Sequence, residues 1–412
     1  MKQWIDKQIH AKYTPYVLAF LIPFLVMAAV CAGHGIYPFG ENSFLHIDMY
    51  HQYAPFFMEF QRKLKAHESL MFSWNLGLGS DFVATFAYYL ASPVNWLVVF
   101  CSKQHLIEFM TVLVLLKIAC SGLFFAIYLG RHFKDNSYLV TLVSMFYALS
   151  AYISAYSWNI MWLDCIMLAP LIILGLERLA FEKKGGMYGI LLAVSILSNY
   201  YISIMICIFL VLYFVVMQIE QKKLDVKSCA RFFFYSLLAG GMGAVLLIPE
   251  AIALGYSGSG GFHFPEDFSW YFSVFDELAR HCMGVTVYTG SDHWPNLYCG
   301  VAVLLLLVLY LLNREIPLKK KLIRMLALIF FLLAFANNWL DFIWHGMHFP
   351  DSLPGRQSFL YMFVLLTMAF EELRRLKGNR IWHVVVAAVA CGAFFVGCAL
   401  FVDHEMVSMT RF

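Results

Sequence analysis

Long apolar stretches alternate with short polar connections along most of the chain. A hydrocarbon core about 30 Å thick requires about 20 consecutive apolar residues in a helix. Runs near that length recur throughout and predict an all-α polytopic membrane protein, with a single transmembrane domain over residues 1–412. Eleven spans are expected, near residues 13–33, 105–130, 138–156, 160–180, 187–198, 202–218, 232–250, 297–312, 323–337, 357–371 and 381–402.

The run from 187 to 218 admits two interpretations. It is long enough for one strongly tilted helix, or for two short helices that turn at Asn199, Tyr200 and Tyr201. Lysines precede it at 183 and 184 and follow it at 222, 223 and 227. Because positive residues near membrane helices are retained in the cytoplasm, both ends are expected there and the run is predicted to be a hairpin.

Lysine and arginine are distributed unevenly between the two sides that these spans define. Connections on the side of the N-terminus hold 21 of them, those on the other side hold 7, and Lys117 lies inside a span. The N-terminus is therefore expected in the cytoplasm, and the first apolar run is long enough to remain as an anchor. Three large loops then lie outside, at 34–104, 251–296 and 338–356, and chemistry is expected on that face.

The first outer loop carries two further helical patterns. Apolar and charged positions recur at helical spacing after Asp48, which predicts an amphipathic helix in the membrane interface. A more aromatic segment follows the turn at Gly77 and Gly79, starts at Asp81 and is broken by Pro93. The apolar positions of the first helix are Tyr53, Phe56, Phe57, Phe60 and Leu64, and its charged positions are Glu59, Arg62, Lys63 and Lys65.

Composition excludes a soluble domain, because only 13% of the residues are charged, against about 25% in soluble proteins. No phosphate-binding GxxxxGK[ST] loop, GxSxG motif or dinucleotide fingerprint occurs, so neither nucleotide chemistry nor a nucleic-acid partner is expected. A disulfide between Cys282 and Cys299, which share the outer side, is the less favoured interpretation. No HExxH motif occurs and no metal site is expected among the outer histidines, His263, His281, His293, His345 and His348.

Asp48 is the leading catalytic candidate. Its carboxylate is expected at the outer membrane surface, where His51 and Tyr53 are expected to help bind a lipid-borne substrate. A carboxylate within hydrogen-bond distance of an attacking hydroxyl can act as a general base. The alternative is that Asp48 only caps the following helix or faces water.

Two further acids are expected at the outer face. Asp81 follows two glycines, so it is either the N-cap of the next helix or a second functional acid. Asp164 lies at the outer mouth of the fourth span between tryptophans. It is either an interface residue or a group that binds a sugar hydroxyl or positions a catalytic group.

Two cations are candidates for binding substrate. Lys117 lies deep in an apolar span, where it needs a phosphate or a buried carboxylate unless it extends to the surface. Glu250, at the outer end of the seventh span, is one candidate partner. Arg356 is the one arginine of the third outer loop, and its guanidinium would bind a phosphate at headgroup height or anchor the following span.

Six segments of the chain stand out together, namely HIDMYHQYAPFF, FSWNLGLGSDFVATFAYYLASPVNW, WNIMWLDCIMLAPLIILGLERL, LSNYYISIMICIFLVLYF, PNLYCG and PGRQSF. They resemble the bacterial YfhO family of membrane proteins, and the resemblance extends over most of the chain. One departure concerns an arginine-aromatic-serine motif of the family, which reads Arg356, Gln357 and Ser358 here. Members are commonly much longer, so the chain is interpreted as either complete or the N-terminal part of a longer architecture.

The resemblance implies a helical bundle and activity like those of GT-C glycosyltransferases. Such enzymes move a sugar from a polyprenyl-phosphate donor to an extracytoplasmic acceptor, such as lipoteichoic or wall teichoic acid, without a cofactor. Their catalytic acid follows the first span, which corresponds to Asp48. The implied partners are an undecaprenyl-phosphate-sugar type donor, a teichoic-acid-like acceptor, the lipid bilayer, other glycosylation enzymes and a flippase.

Two other functional classes remain open from the sequence. A lipid-carrier flippase or transporter would also contain an intramembrane ionisable residue and a broken hairpin. A catalytically silent partner of wall-polymer enzymes is the third hypothesis. The position of the acids at the predicted outer surface favours the glycosyltransferase.

The predicted topology is testable by cysteine labelling. A cysteine at residue 262 is expected to react with an impermeant reagent in intact cells, because the second large loop is predicted outside. A cysteine at residue 225 is expected to be protected. The reverse pattern of labelling would show that the hairpin prediction is wrong.

Overall fold

A computed structural model of the chain describes residues 13–220, 225–256 and 263–402, and it is almost entirely helical there. Residue 262, used in the labelling prediction, lies outside these ranges. The α-helices of the described residues are α1 (Thr14–Gly33), α2 (Ala54–Ala66), α3 (Phe82–Thr85), α4 (Leu106–Phe133), α5 (Tyr138–Ala148), α6 (Ala151–Tyr156), α7 (Leu163–Glu182), α8 (Gly186–Ser198), α9 (Tyr200–Glu220), α10 (Val226–Leu254), α11 (Val274–Ala279), α12 (Val301–Leu312), α13 (Leu318–Ala336), α14 (Asn338–Trp344), α15 (Ser358–Arg374) and α16 (Ile381–Phe401).

Shorter elements complete the first loop. Two-residue strands β1 (Phe72–Ser73) and β2 (Ser80–Asp81) pair antiparallel. The remaining elements are π-helices at Met49–Tyr53 and Phe86–Leu90 and 3-10 helices at Pro93–Phe100, Lys103–His105 and Leu376–Gly378.

Each of the eleven predicted spans corresponds to a helix or, for 138–156, to a helix pair, and this confirms an all-α polytopic membrane protein. The helix from Phe82 and the 3-10 helix after it meet at 105° near Pro93, where the sequence predicted a break. Two shorter apolar helices, α8 and α12, accompany the spans. Six stretches of the described residues are long and apolar enough to cross a bilayer, namely Thr14–Gly33, Lys103–Phe133, Tyr138–Tyr156, Tyr200–Glu220, Val226–Leu254 and Ile381–Phe401.

The hairpin predicted within 187–218 is confirmed. The hydroxyl oxygens of Ser195 and Ser203 are 2.8 Å apart, whereas eight residues of a straight helix rise about 12 Å. Asn199 leaves the helical conformation between the two helices, with φ −161° and ψ 106°. Its Oδ1 accepts a hydrogen bond from the Ile202 N–H at 2.9 Å, so it caps α9.

Helix α4 lies at the centre of the bundle and packs against α1, α5 and α7. Its glycine at 122 permits the contact with α1, because a Cβ there would lie 2.5 Å from the Ala19 carbonyl oxygen. Gly175 permits the contact of α7 with α8 in the same way, since a Cβ would lie 2.8 Å from the Tyr188 nitrogen. Small residues at such crossings let membrane helices approach closely.

Helix α2 differs from the predicted interfacial helix, because part of its charged face is buried. Glu59 is only 6% exposed and accepts hydrogen bonds from the Arg62 guanidinium, the Ser73 hydroxyl at 2.6 Å and the Asn75 amide at 2.9 Å. Lys63 is 3% exposed and donates to the backbone oxygens of Ser69 and Phe72. The helical spacing did not predict this burial of charged side chains. Spacing assigns charged residues to the solvent-exposed face of a helix and does not show that a loop folds over them.

The thiols of Cys282 and Cys299 are both free. Cys282 packs in a small apolar cluster with Cys398 and Val402, whereas Cys299 belongs to the main core. The less favoured interpretation of a disulfide between Cys282 and Cys299 therefore has no support in the packing.

Glu59→Gln is expected to destabilise the first loop in a pH-dependent way. Hydrogen bonds from Arg62, opposed by burial, lower the pKa of Glu59 to about 2. The charge of Glu59 therefore makes its full contribution to the free energy of unfolding above the ordinary carboxyl pKa of about 4.3. This contribution is lost as the pH falls through about 2. The measurement is thermal unfolding in detergent across this pH range. Glu68→Gln is the matched control, because Glu68 also contacts Arg62 but is exposed, and it should change the melting temperature less.

Candidate functional site

Buried hydrogen bonds connect the first loop to the ends of the neighbouring helices. The Ser92 hydroxyl donates to Asp164 Oδ1 at 2.8 Å, and the Tyr53 hydroxyl donates to Asn159 Oδ1 at 2.8 Å. The Asn199 side chain, at the hairpin turn, donates to the Tyr88 carbonyl oxygen at 3.0 Å. The segment before α15 joins the same end, where the Tyr156 hydroxyl donates to the Pro354 carbonyl oxygen at 2.6 Å. We call this end of the bundle the loop end.

An ion pair between Lys117 and Asp164 lies beneath the loop end. Lys117 Nζ is 2.6 Å from Asp164 Oδ2 and donates to the Ile160 carbonyl oxygen at 3.0 Å, and both side chains are buried. The cation in the span therefore has a buried carboxylate as its partner, one of the two alternatives the sequence allowed. The partner is Asp164 and not Glu250, which accepts a hydrogen bond from the Tyr200 hydroxyl instead.

Asp81 occupies the N-cap position of α3. Its Oδ1 accepts hydrogen bonds from the Val83 N–H at 2.9 Å and the Ala84 N–H at 3.4 Å. The capping alternative is thereby observed, and a role for Asp81 in substrate binding stays a prediction.

Asp48 directly precedes the π-helix that leads into α2, and it is partly exposed. Its carboxylate accepts no capping hydrogen bond. The charges of Asp48 and Arg356 both act on Tyr53. Burial raises the pKa of the Tyr53 phenol well above its usual range, Tyr88, Tyr89 and Asp48 raise it further, and Arg356 opposes them. The proposed base and the proposed phosphate ligand therefore lie in one electrostatic neighbourhood.

Tyr53 and His51 differ in their surroundings. The Tyr53 ring packs against Trp158 and Tyr89, with ring centroids 6.2 and 5.4 Å away, and the residue is 3% exposed. His51 is exposed, with its ring against that of Tyr50 at 5.2 Å. The structure thus buries Tyr53 and leaves His51 exposed, and a role for either residue in substrate binding stays a prediction.

The guanidinium of Arg356 lies between two aromatic rings. Its central carbon is 5.0 Å from the ring centroids of both Trp162 and Tyr201. Arg356 Nε and one terminal nitrogen donate to the carbonyl oxygens of Leu353 and Ser352 at 3.0 and 2.9 Å. No ion-pair partner within 4 Å is found for it among residues 13–220, 225–256 and 263–402, so its charge is balanced there by ring faces and carbonyl dipoles.

Several buried polar atoms at the loop end have no protein partner. The Trp162 Nε1, the Tyr152 hydroxyl and both amide atoms of Gln357 have no hydrogen-bond partner within the described ranges. An unpaired buried polar group destabilises a fold by about 1–3 kcal/mol, and such groups are uncommon in native interiors. Trp162 contributes one of the rings that the Arg356 guanidinium contacts, and Gln357 follows Arg356 in the chain. We call Arg356, Trp162, Tyr201 and Gln357 the arginine pocket.

The arginine pocket is connected to Tyr53 by a continuous series of aromatic contacts. Tyr201 packs against Tyr88 at 6.3 Å, Tyr88 against Tyr89 at 4.6 Å, and Tyr89 against Tyr53 at 5.4 Å. Sequence analysis missed Tyr201 and Gln357 as site residues. One signal in the sequence was available for each residue. Tyr201 belongs to the predicted hairpin turn, and Gln357 directly follows Arg356.

A cavity of about 1170 Å³ lies at the opposite, basic end of the bundle, where Arg131, Lys134, Glu177 and Arg178 line it. It is remote from the arginine pocket, because Trp162 precedes α7 whereas Glu177 and Arg178 lie near its other end, and a helix rises about 1.5 Å per residue.

Within the described ranges, no group of three or more His, Cys, Asp or Glu side chains is placed to hold a metal ion.

The architecture defines a polytopic helical membrane protein with a polar, cation-containing cluster of side chains at the loop end. The family comparison is specific: residues 19–411 match the family of the bacterial membrane protein YfhO, and the chain belongs to that family. Membership supports a membrane-associated, glycosyltransferase-like role. No curated protein and no solved structure shows significant similarity to the chain.

Breaking the buried ion pair is expected to destabilise the bundle strongly. Lys117→Met leaves Asp164 charged and unpaired, which typically lowers the free energy of unfolding by about 3–5 kcal/mol. The double variant with Asp164→Asn should recover part of this loss, because neither charge then remains buried. The measurement is the melting temperature of the purified protein in detergent. Lys103→Met, at an exposed lysine of the first loop, is the control, and an equal effect of both lysine variants would contradict the assignment.

Proposed function

We propose that the protein is an inverting glycosyltransferase that uses a polyprenyl-phosphate-linked sugar, of the undecaprenyl-phosphate type, as donor. The acceptor would be a hydroxyl of an extracytoplasmic polymer such as lipoteichoic or wall teichoic acid. The observation that carries the proposal is Arg356, a partly buried guanidinium with no carboxylate within 4 Å in the described chain, whose charge acts on the same tyrosine as the charge of Asp48. Family membership supports the same class of activity.

Arg356 would bind the donor phosphate. Its Nε and one terminal nitrogen are engaged by carbonyl oxygens, which fixes the plane of the guanidinium and leaves a second terminal nitrogen for the ligand. The Trp162 N–H and the Gln357 amide would add neutral donors. Fixed donors of this kind stabilise charge that develops on a leaving group without reorganisation during the reaction.

Asp48 would remove the proton from the acceptor hydroxyl. Its carboxylate is partly exposed and is not used as a helix cap, so an acceptor from the aqueous side can reach it. The acceptor oxygen would attack the anomeric carbon as the bond to phosphate breaks. One displacement inverts the anomeric configuration, whereas retention needs a second carboxylate as nucleophile. A sugar phosphodiester is already activated, so the proposed step needs no nucleotide.

The lipid-carrier flippase is the main alternative. It drew support from Lys117, the cation inside a span, because ionisable groups in membrane helices commonly mark transport pathways. Asp164 lies 2.6 Å from Lys117, so the positive charge of Lys117 has a partner within the protein and needs no transported ion to balance it. A non-catalytic partner of other wall-polymer enzymes would require neither an exposed base nor an uncompensated guanidinium.

Asp48→Asn is expected to abolish transfer while leaving the protein folded and inserted. The amide keeps the shape of the carboxylate but does not accept the hydroxyl proton, and loss of a general base typically lowers the rate by about 10²–10⁴-fold. The measurement is transfer of labelled sugar by purified protein. Glu41→Gln, at another exposed acid of the same loop, is the control and should transfer normally. Normal turnover by Asp48→Asn would end the catalytic role of Asp48.

Arg356→Ala is expected to lower turnover more than it weakens donor binding. The phosphate gains negative charge as the glycosidic bond breaks, so the guanidinium contributes more in the transition state than in the bound state. Loss of one such group lowers turnover by about 10²–10³-fold. Arg356→Lys should lie between alanine and wild type, because lysine restores a point charge without the planar fork.

The same two variants distinguish enzyme from transporter. If Arg356 only anchors α15 at the interface, lysine should equal arginine, and both variants should first change expression or insertion. If Arg356→Ala transfers sugar at the normal rate while lipid flipping is lost, the transporter becomes the better account.

A further inference from the structure

The cavity at the basic end of the bundle is used by no step of the proposed mechanism. It measures about 1170 Å³, whereas a typical small-molecule pocket measures roughly 300–1,000 Å³. Its wall is formed by the start of α1, the last turns of α4 and α7, and the start of α8. The connections at this end are rich in lysine and arginine, and the sequence therefore predicts that the cavity lies at the cytoplasmic face.

A glycine near the end of α4 lets α1 close one side of the cavity. A Cβ at Gly130 would overlap the Tyr16 hydroxyl oxygen, so glycine leaves room for the Tyr16 ring to cross this turn. The Tyr16 hydroxyl donates to Asn136 Oδ1 at 2.5 Å. All three residues line the cavity, and their contact holds the start of α1 against the segment that follows α4.

Two cations of the cavity have no acid partner. Arg131 and Lys134, at the end of α4, both line it and are exposed. No carboxylate lies within 4 Å of either among residues 13–220, 225–256 and 263–402. An exposed cation without a partner is common by itself, so the environment of the neighbouring acids decides what these two cations are available for.

Glu177, the buried acid of the cavity, is engaged by other groups. It accepts hydrogen bonds from the hydroxyls of Tyr213 at 2.6 Å and Tyr128 at 3.3 Å. His132 Nδ1 lies 2.8 Å from both of its carboxylate oxygens. The oxygens of Glu177 are therefore satisfied within the bundle and are not directed to the two unpaired cations.

Two further acids at this end are paired with other cations. Glu182 Oε2 lies 3.4 Å from Arg178 Nε and 3.2 Å from Lys184 Nζ. Asp135 Oδ2 lies 2.7 Å from Arg374 Nε, so α15 ends here too. The lining as a whole holds three lysine and arginine side chains and two acids. A positive charge is thus left that an anionic ligand can balance.

Apolar side chains form much of the remaining lining. Ile127 of α4, Leu174 and Phe181 of α7 and Met187 of α8 lie beside the charged groups. A free phosphate ion would gain nothing from these side chains, whereas a phospholipid carries acyl carbons close to its phosphate. Unpaired cations next to apolar walls at the end of membrane spans therefore fit an anionic amphiphile.

We propose that this cavity binds the headgroup of an anionic phospholipid from the surrounding leaflet. Arg131 and Lys134 would contact the phosphate, and the first acyl carbons would lie against the apolar side chains of the lining. Basic pockets between membrane helices on the cytoplasmic side are suited to such headgroups. The bound lipid would join α1, α4 and α7, so it should stabilise the fold. This inference is independent of the proposed glycosyl transfer.

Binding is measured as the lipid-dependent rise in the melting temperature of the purified protein in detergent. Saturating phosphatidylglycerol should raise the melting temperature of wild type by about 3 °C. Phosphatidylcholine, which carries the same phosphate without a net charge, should not raise it. In the double variant Arg131→Gln and Lys134→Gln, the affinity for phosphatidylglycerol should fall about 30-fold, the effect of two basic residues at an anionic membrane surface. The melting temperature without lipid should change little, because both residues are exposed.

A charge-matched control separates the cavity from the general basicity of this end. Arg314→Gln with Lys377→Gln also removes one arginine and one lysine, both exposed where the chain turns after α12 and after α15, and neither lines the cavity. This control should keep the wild-type affinity. Ile127→Trp tests the cavity itself, because the larger side chain fills space while both cations stay, and it should abolish the lipid-dependent rise.

Titrations with inorganic phosphate and glycerol phosphate distinguish a lipid headgroup from a free anion. Neither should raise the melting temperature at the concentration at which phosphatidylglycerol saturates. An equal rise with inorganic phosphate would assign the cavity to a soluble anion and overturn the lipid assignment. Equal affinity of wild type and the double variant for phosphatidylglycerol, or an equal rise with phosphatidylcholine, would also overturn the inference. Because the readout is binding, failure of glycosyl transfer would leave this result unchanged.

Discussion

The ion pair between Lys117 and Asp164 is the constraint on which the loop end depends. It joins the middle of α4 to the first turn of α7, and Ser92 of the first loop donates to the same carboxylate at 2.8 Å. Burying two charges is favourable only when each is paired and hydrogen-bonded, and here both conditions are met. Three parts of the chain are thereby held in fixed relation. One consequence is that Trp162, two residues before Asp164, is placed against Arg356.

Arg356 shows the opposite electrostatic situation. Lys117 is neutralised within the protein, whereas Arg356 is held by two ring faces and two carbonyl oxygens, with no carboxylate within 4 Å of it in the described chain. A partly buried cation that the protein positions but does not neutralise is suited to an anionic ligand. The difference between these two cations is the physical basis for proposing that Arg356, and not Lys117, binds the donor phosphate.

Much of the fold was predictable from the sequence because membrane spans leave a strong local signal. The lysines at 183, 184, 222, 223 and 227 required a hairpin, and the contact of Ser195 with Ser203 confirms it. Pro93 marked the 105° bend. The charged face of α2 was interpreted wrongly in part, because helical spacing shows which residues share a face but not which loop covers it. Glu59 is buried for that reason.

Pairings between distant residues were not predictable in the same way. Lys117 required a partner, but several acids were available and only the packing of α4 on α7 selects Asp164. The arginine pocket combines side chains from α9, the start of α7 and the segment before α15, and no local pattern links these.

The most direct test of the central claim is reconstitution of the purified protein with a radiolabelled polyprenyl-phosphate sugar and a teichoic-type acceptor, without nucleotide. The account predicts that label moves to the acceptor and that the new glycosidic bond has the anomeric configuration opposite to that of the donor. Movement of the intact lipid across the membrane without transfer, or a product that retains the configuration, would contradict it.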